Sequence, residues 1–322
     1  MAVRPIERLL IANRGEIAVR IARTAHRLGI GTVGVYSDAD ANALHVDSVD
    51  VAVALGGVRA SESYLRGDAV IQAALATRCD ALHPGYGFLS ENEGFAQQVI
   101  DAGLAWVGPT PQQIALLGNK VSAKALAIEA GVPTSPALIV KSGSIPTDLD
   151  LPILVKAAAG GGGRGMRIVR SVAELADVVA SAEREARSAF GDGSLFIEPF
   201  IEGGRHIEVQ MVGDSHGNVI HLGERECSIQ RRNQKILEES PSVGIDSITR
   251  ETLYAAAVAL ASHVGYQGVG TVEFLVGHDG TINFLEVNTR LQVEHPVTEA
   301  VTGIDLIELQ LVVASGEPLP LA

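Results

Sequence analysis

Between Ile6 and Val107, short apolar runs alternate with segments of helical periodicity, and no other feature constrains the fold as tightly. Ile6 to Ala12 reads as a strand. Ile17, Ile21, Ala25 and Leu28 then mark one face of a helix, and Thr32 to Tyr36 reads as a second strand. Further strands are expected near Val51 to Leu55, Asp80 to His83 and Ala105 to Val107, with helices near Asp68 to Thr77 and Asn92 to Ala102. Such alternation predicts a parallel, doubly wound sheet that takes its ligands at the carboxyl ends of the strands. Those ends carry Asn13-Arg14-Gly15-Glu16 and His83-Pro84-Gly85-Tyr86-Gly87-Phe88, which suit tight turns and, in the second case, the wall of a pocket.

The pattern breaks at Pro109-Thr110-Pro111, and one helical segment is expected through Lys120 and Lys124 to Ala130. After Gly131-Val132-Pro133 the character changes. Leu151 to Ala157 reads as a strand, residues 160–165 as a glycine loop, and Met166 to Arg170 as another strand. Gly160, Gly162 and Gly165 match G-x-G-x-x-G, but the match leads into a strand where a dinucleotide site needs a helix, and no Walker lysine follows. A glycine loop across a hairpin tip is suited instead to close over phosphates with its bare amides. Lys156, in the apolar run just before it, either snorkels or meets an anion, and the glycines favour a phosphate.

Val172 to Ser188 reads as an ordinary amphipathic helix and Ser194 to Glu198 as a strand. His206, Glu208 and Gln210 share one face of a further strand. SIQRRNQKILEE, residues 228–239, reads as a basic loop, either solvated or clamping an anion. Ser247 to His263 is a helix leading into two alternating runs, Thr271 to Val276 and Thr281 to Val287, which flank Asp279-Gly280. With that pair at a two-residue turn, Glu273 lies opposite Glu286, and Asn288 follows on the same side. At about 5 Å and an effective dielectric near 20, two carboxylates repel by roughly 3 kcal/mol, so a positive partner is expected between them. Oxygen donors of this kind suit Mg²⁺ or Mn²⁺ with substrate phosphates. Arg290, Gln292 and Glu294 keep the same alternation, so one strand-like run is expected to continue through Glu294, and Gly303 to Val313 forms the last helix.

A net charge of -13 in 322 residues argues against nucleic acid or an anionic membrane as the main partner. Cys79 and Cys227 are too few and too far apart for a disulfide framework, which fits a reducing compartment. With no secretory leader and no membrane-length apolar run, the expectation is a cytoplasmic protein.

Together the segments resemble the biotin carboxylase component of biotin-dependent carboxylases of the acetyl- or propionyl-CoA type, within the ATP-grasp superfamily. The resemblance is carried by IANRGEIA at 11–18, HPGYGFLSEN at 83–92, GNKVSAK at 118–124, GGGGRGMR at 160–167, RHIEVQ at 205–210, ERECSIQRRNQK at 224–235 and EVNTRLQVEHPVTE at 286–299. It implies α/β and α+β architecture: an N-terminal doubly wound sheet (1–115), a helical linker (116–132), and an ATP-grasp fold with a mobile glycine-rich lid (133–203) and a catalytic domain (204–322) that is incomplete, since family members usually continue for about another hundred residues.

Position by position, the resemblance implies that Lys120, Lys156 and His206 contact ATP phosphates or ribose, that Gly162, Gly163 and Gly165 cover the phosphates, and that the Glu198 to Ile201 hinge receives adenine. Gln230 and Asn233 would also contact the nucleotide. Asn233 stands where some members have histidine, and Pro199 where lysine is frequent. Glu273, Glu286 and Asn288 would hold Mg²⁺ (or Mn²⁺). Arg290, Gln292 and the Val293 amide would bind bicarbonate, Glu294 would be its general base, kept ionised by Arg290, and Lys235 would neutralise the transferring phosphoryl group. The implied reaction is ATP- and bicarbonate-dependent carboxylation of biotin through carboxyphosphate. With no Met-Lys-Met in the chain, the biotin would arrive on a carrier protein or domain, with a carboxyltransferase subunit as further partner and a homo-oligomer as the full-length state. Two other readings remain open from the residues alone: another ATP-grasp ligase resembling carbamoyl-phosphate synthetase, and a non-catalytic ATP-binding fragment. The choice of final carboxyl acceptor would lie in the carboxyltransferase partner.

Overall fold

The computed structural model describes residues 3–135, 138–140, 149–157, 166–191, 193–231 and 234–320. In chain order the first unit contains β1 (Arg8–Ile11), α1 (Gly15–Arg27), β2 (Gly31–Tyr36), α2 (Leu44–Asp47), β3 (Val51–Ala54), α3 (Gly67–Ala76), β4 (Ala81–His83), α4 (Glu93–Asp101) and β5 (Ala105–Trp106). Its strands form the predicted parallel sheet in the order β3-β2-β1-β4-β5. Leu9 and Ile11 of β1 face one side and Leu10 the other, and all three are buried, as a sheet covered on both faces requires. The chain order reverses between β1 and β4, and the two strand ends are tied there: Asn13 Nδ2 donates to the carbonyls of Pro84 (2.7 Å) and Tyr86 (2.8 Å). Gly85 adopts φ +64°, and a Cβ on it would strike the Asn13 amide.

Two helices follow where one was expected, α5 (Pro111–Gly118) and α6 (Lys120–Glu129). They divide at Asn119, whose side chain accepts from the amides of Val121 and Ser122 and so starts a new helix. Next come β6 (Leu138–Val140), β7 (Ile153–Ala157), β8 (Arg167–Val169), α7 (Val172–Phe190) and β9 (Leu195–Pro199), with an antiparallel sheet ordered β6-β9-β7-β8 and α7 packed on it.

The last unit holds β10 (Arg205–Gly213), β11 (Val219–Arg231), β12 (Gln234–Glu239), α8 (Ser247–His263), β13 (Gly268–Val276), β14 (Ile282–Asn288), α9 (His295–Thr302) and α10 (Leu306–Ala314). Its sheet, β12-β11-β10-β13-β14, is antiparallel. Ile207, Val209, Val272 and Phe274 bury one face against Leu253, Ala257 and Leu260 of α8. The other face carries the polar residues. Val212 and Val269 join the core formed by β1, α1 and α10, so the two sheets share apolar packing.

Four further sequence expectations change. Residues 228–231 and 234–239 belong to a pair of strands, β11 and β12, in which Ile229 pairs with Leu237 and Gln230 with Lys235. Residues 277–281 form a five-residue connection closed by Gly277 N to Thr281 O (2.8 Å), where two residues were expected. The strand-like run ends at Asn288, and a turn at 293–294 leads into α9, whose start is set by Pro296 in its first turn. The last helix starts at Leu306, capped by Asp305 accepting from the Glu308 amide.

Gly213 gives a stability test. A Cβ there would collide with the backbone carbonyl of Tyr266, which has no flexible end to move. Gly213→Ala is expected to destabilise the fold by about 3 kcal/mol, read as a lower urea midpoint; an unchanged midpoint would show that this corner yields freely.

Candidate functional site

Strand pairing places one row of charged side chains across four strands. Arg225 pairs with Glu208, Glu208 with Glu273, and Glu273 with Glu286. The next row is Gln210, Thr271 and Asn288. The opposition of Glu273 and Glu286 was expected from a two-residue turn, and it arises differently. Near the turn Phe274 pairs with Phe284, and one extra residue on β14 shifts the register before Glu286 reaches Glu273.

Neighbouring strands lie about 5 Å apart, so the three carboxylates of that row repel unless cations lie among them. Lys235, on β12, supplies the central one. Its ammonium lies 2.6 Å from Glu208 Oε2, 2.9 Å from Glu273 Oε1 and 2.7 Å from Glu294 Oε1. His206 Nε2 is 2.9 Å from Glu273 Oε2, and Lys120 Nζ is 3.0 Å from Glu286 Oε2. Burial pulls the Lys235 pKa down, but Glu273, Glu208 and Glu294 together outweigh it and hold the ammonium well above its ordinary value. Burial would raise Glu273, yet His206 and Lys235 draw it well below 4.5. For Glu294, burial is likewise outweighed by Lys235 and the carboxylate stays ionised. For His206, burial opposes the charge and Glu273 overcomes it, so its pKa rises above 6.5.

Arg290 does not play the part expected of it toward Glu294. Its Nε donates to Glu91 Oε2 (2.9 Å) and one terminal nitrogen to Asn288 Oδ1 (3.1 Å), while Lys235 is the cation on Glu294. Gln292 Nε2 donates to Glu273 Oε1 (3.2 Å), and Glu294 stands at the N-cap of α9, so Gln292 and Glu294 reach the cluster from a turn. Gln230 Nε2 contacts His206 Nδ1 (3.2 Å) and donates to the Cys227 carbonyl (2.8 Å).

At the hinge, the Glu198 carboxylate is buried between two lysines, Lys124 at 3.0 Å and Lys156. Burial raises its pKa, and the two ammonium groups outweigh that and lower it. The Lys156 head therefore meets a protein carboxylate, where a phosphate was favoured from sequence. Ile201 lines a depression of about 320 Å³ with Phe200, Glu202, Gly277, His278, Asp279 and Thr281. Gly162, Gly163, Gly165 and Asn233 lie outside the described residues.

The donor set fits a hard divalent cation. Glu273 and Glu286 offer opposed carboxylates, and the positive charge they need is met by the heads of Lys235, Lys120 and His206. Asn288 presents Nδ2 to Glu273 Oε1 (2.8 Å), leaving its oxygen toward Arg290.

Two participants were missed from sequence. Glu208 was placed on the polar face but given no role, and Arg225 was passed over. Arg225 is fully buried, and its Nε donates to Glu208 Oε1 at 2.6 Å. The signal available was an arginine between two glutamates in a run that alternates like a strand.

Residues 5–114 match the family described as biotin carboxylase, N-terminal domain, and residues 119–322 match carbamoyl-phosphate synthase L chain, ATP binding domain. A biotin carboxylase from Nostoc sp. is 51% identical over 98% of this chain, which spans 72% of that protein. A propionyl-CoA carboxylase alpha chain from Ruegeria pomeroyi is 50% identical over 97% of this chain, which spans 47% of that one. Among solved structures, a biotin carboxylase–β,γ-ATP complex from Campylobacter jejuni superposes with a TM-score of 0.93 at 46% identity, covering 98% of this chain and 72% of its own. The biotin carboxylase domain dimer of Hydrogenobacter thermophilus 2-oxoglutarate carboxylase, with MgADP, ADP and bicarbonate, superposes with a TM-score of 0.91 at 43% identity, covering 99% and 72%.

Proposed function

We propose a function from one premise: the chain belongs to the biotin carboxylase family. Its site is suited to ATP- and bicarbonate-dependent carboxylation of biotin, the first half-reaction of an acyl-CoA carboxylase. The observation that carries this is the Lys235 ammonium within 2.9 Å of Glu208, Glu273 and Glu294, which joins the metal-type carboxylates to a carboxylate able to act as base.

Bicarbonate attacks the γ-phosphorus of ATP, giving carboxyphosphate and ADP. Carboxyphosphate breaks to CO₂ and phosphate, phosphate takes the ureido proton of biotin, and the nitrogen adds to CO₂. Arg290 and Gln292, with the Val293 amide, orient bicarbonate, and Glu294 accepts its proton. Lys235 neutralises charge on the transferring phosphoryl group. Lys120, Lys156 and His206 meet the phosphates or ribose, exchanging their present carboxylate partners, while Gly162, Gly163 and Gly165 cover them. Glu198 and Ile201 with Gln230 and Asn233 receive the base and sugar. Glu273, Glu286 and Asn288 would hold Mg²⁺ or Mn²⁺, which supplies charge neutralisation at the polyphosphate.

The division 1–115, 116–132, 133–203 and 204–322 is supported by each sheet falling inside one span. Bicarbonate and a biotin-bearing carrier are the immediate partners, with a carboxyltransferase and a homo-oligomer as the wider assembly. Among the described residues no helix is long and apolar enough to cross a membrane, and a cytoplasmic setting fits the acidic, cysteine-poor chain.

The test is ATP cleavage with bicarbonate and free biotin. Biotin is expected to raise it, and Glu286→Gln to lower it by about a hundredfold while shifting its Mg²⁺ dependence to higher concentration. Unchanged kinetics would refute the metal assignment. Cleavage stimulated by ammonia and indifferent to biotin would favour a carbamoyl-phosphate synthetase-like ligase instead.

A further inference from the structure

The geometry points to Arg225 as a positioning residue for this site, acting on Lys235 through Glu208 and on Gln292 and α9 directly; the inference rests on the function proposed above. An arginine side chain has five N–H donors, and here all five have acceptors. Nε donates to Glu208 Oε1 at 2.6 Å. One terminal nitrogen donates to Gln210 Oε1 (2.8 Å) and Thr298 Oγ1 (2.7 Å), and the other to Gln292 Oε1 (3.1 Å) and Thr271 Oγ1 (3.4 Å). The guanidinium and Glu208 are both fully buried, so neither exchanges with solvent as an exposed pair does.

Three of these contacts bear on groups assigned to the chemistry. Glu208 gives one oxygen to Arg225 and the other to Lys235 at 2.6 Å, so the carboxylate that fixes the lysine is itself fixed. Gln292 accepts through its oxygen, which turns its Nε2 toward Glu273 and removes the alternative amide orientation. Thr298 lies one turn beyond Glu294 on α9, so its bond to Arg225 anchors the helix whose N-cap is Glu294. Lys235, Gln292 and Glu294 thus all depend on one planar fork that a lysine cannot reproduce.

Arg225→Lys keeps the charge and loses the fork. The expected result is a folded protein whose kcat for bicarbonate-dependent ATP cleavage falls about thirtyfold and whose KM for bicarbonate rises about fivefold, with KM for ATP within about twofold of the original. Glu208→Gln keeps the shape and is expected to lower kcat about tenfold with little change in KM for bicarbonate, because Gln292 remains held. The double variant is expected to lose little more than Arg225→Lys alone, since both act on Lys235 along one path. If Arg225→Lys does not fold, Glu208→Gln carries the test. Folded variants with kcat and KM for bicarbonate within about twofold of the original overturn the assignment, as does a loss that scales only with the unfolded fraction. Positioning is also read without turnover: a crystal structure of Arg225→Lys is expected to show the Lys235 ammonium or the Gln292 amide displaced, and unchanged positions overturn the inference. An unsubstituted chain that shows no bicarbonate-dependent cleavage sinks the proposed function while leaving that structural comparison standing.

Discussion

Glu294→Gln is expected to abolish the bicarbonate-dependent rise in ATP cleavage, a loss of about a hundred- to ten-thousand-fold, the usual worth of a positioned general base. Glutamine has the same shape and keeps an oxygen for the Lys235 ammonium, now 2.7 Å away, so the cluster stays assembled. What it loses is the capacity to accept a proton. The sign of the pH dependence follows from Lys235, which with its own hydrogen bond outweighs burial and lowers the Glu294 pKa below 4.5. The base is therefore ionised throughout the neutral range, and activity owed to it is lost only as pH falls through that lowered value. An acid limb set by Glu294 lies below the ordinary glutamate range. Nucleotide affinity should hardly move, because Lys120 pairs with Glu286 and Lys156 with Glu198, whereas Glu294 pairs with Lys235. Measured bicarbonate-dependent turnover within about threefold of the original would remove Glu294 from the chemistry.

How much of this was legible in sequence depended on how local each signal was. The parallel sheet and the Glu273–Glu286 opposition were read correctly, because the first follows from repeated βα units and the second from one hairpin. Even there, the agreement relied on two departures that offset each other. The turn is longer than predicted, and an extra residue in β14 restores the register at the carboxylates. Glu208 and Arg225 were out of reach for another reason. Their importance comes from β10 lying between β11 and β13, and β10 and β13 are separated in sequence by two strands and a helix. Alternation told which face Glu208 occupied but not which strand faced it. The α9 start was hidden because Asn288, Arg290, Gln292 and Glu294 alternate like a strand, although Pro296 carried the opposite signal. Lys156 shows what a charge read singly leaves out: its glycine neighbours favoured a phosphate, and the fold sets its head against Glu198.

Lys235→Met is expected to lower turnover by about a thousandfold or more, as for loss of a cation that stabilises phosphoryl transfer. The same variant is expected to lose about 3–5 kcal/mol of stability near neutral pH, because a largely buried network is left with uncompensated charge. Arg225 still holds Glu208 and His206 still holds Glu273, but Glu294 loses the ammonium that counters its burial. The pH dependence distinguishes this from lost packing. In the unsubstituted chain the folded pKa values of Glu273 and Glu294 are depressed, so their stabilisation is present above the unfolded value and is lost as pH falls. Without Lys235 the burial contribution to Glu294 is opposed only by a backbone hydrogen bond and by Arg225, and its folded value is expected to rise above the unfolded one. Its effect then reverses sign, and protonation on acidification relieves the strain. Urea midpoints compared near pH 7.5 and pH 5.5 are expected to shift upward on acidification more in Lys235→Met than in the original chain, since the gain from the raised His206 is common to both. Lys235→Arg gives the complementary arm: it restores the charge, but a planar fork cannot sit as a point between three carboxylates, so stability should return further than turnover. A Lys235→Met variant with turnover within about tenfold of the original would place the transferring phosphoryl group away from this lysine and break the link between the carboxylate row and the base.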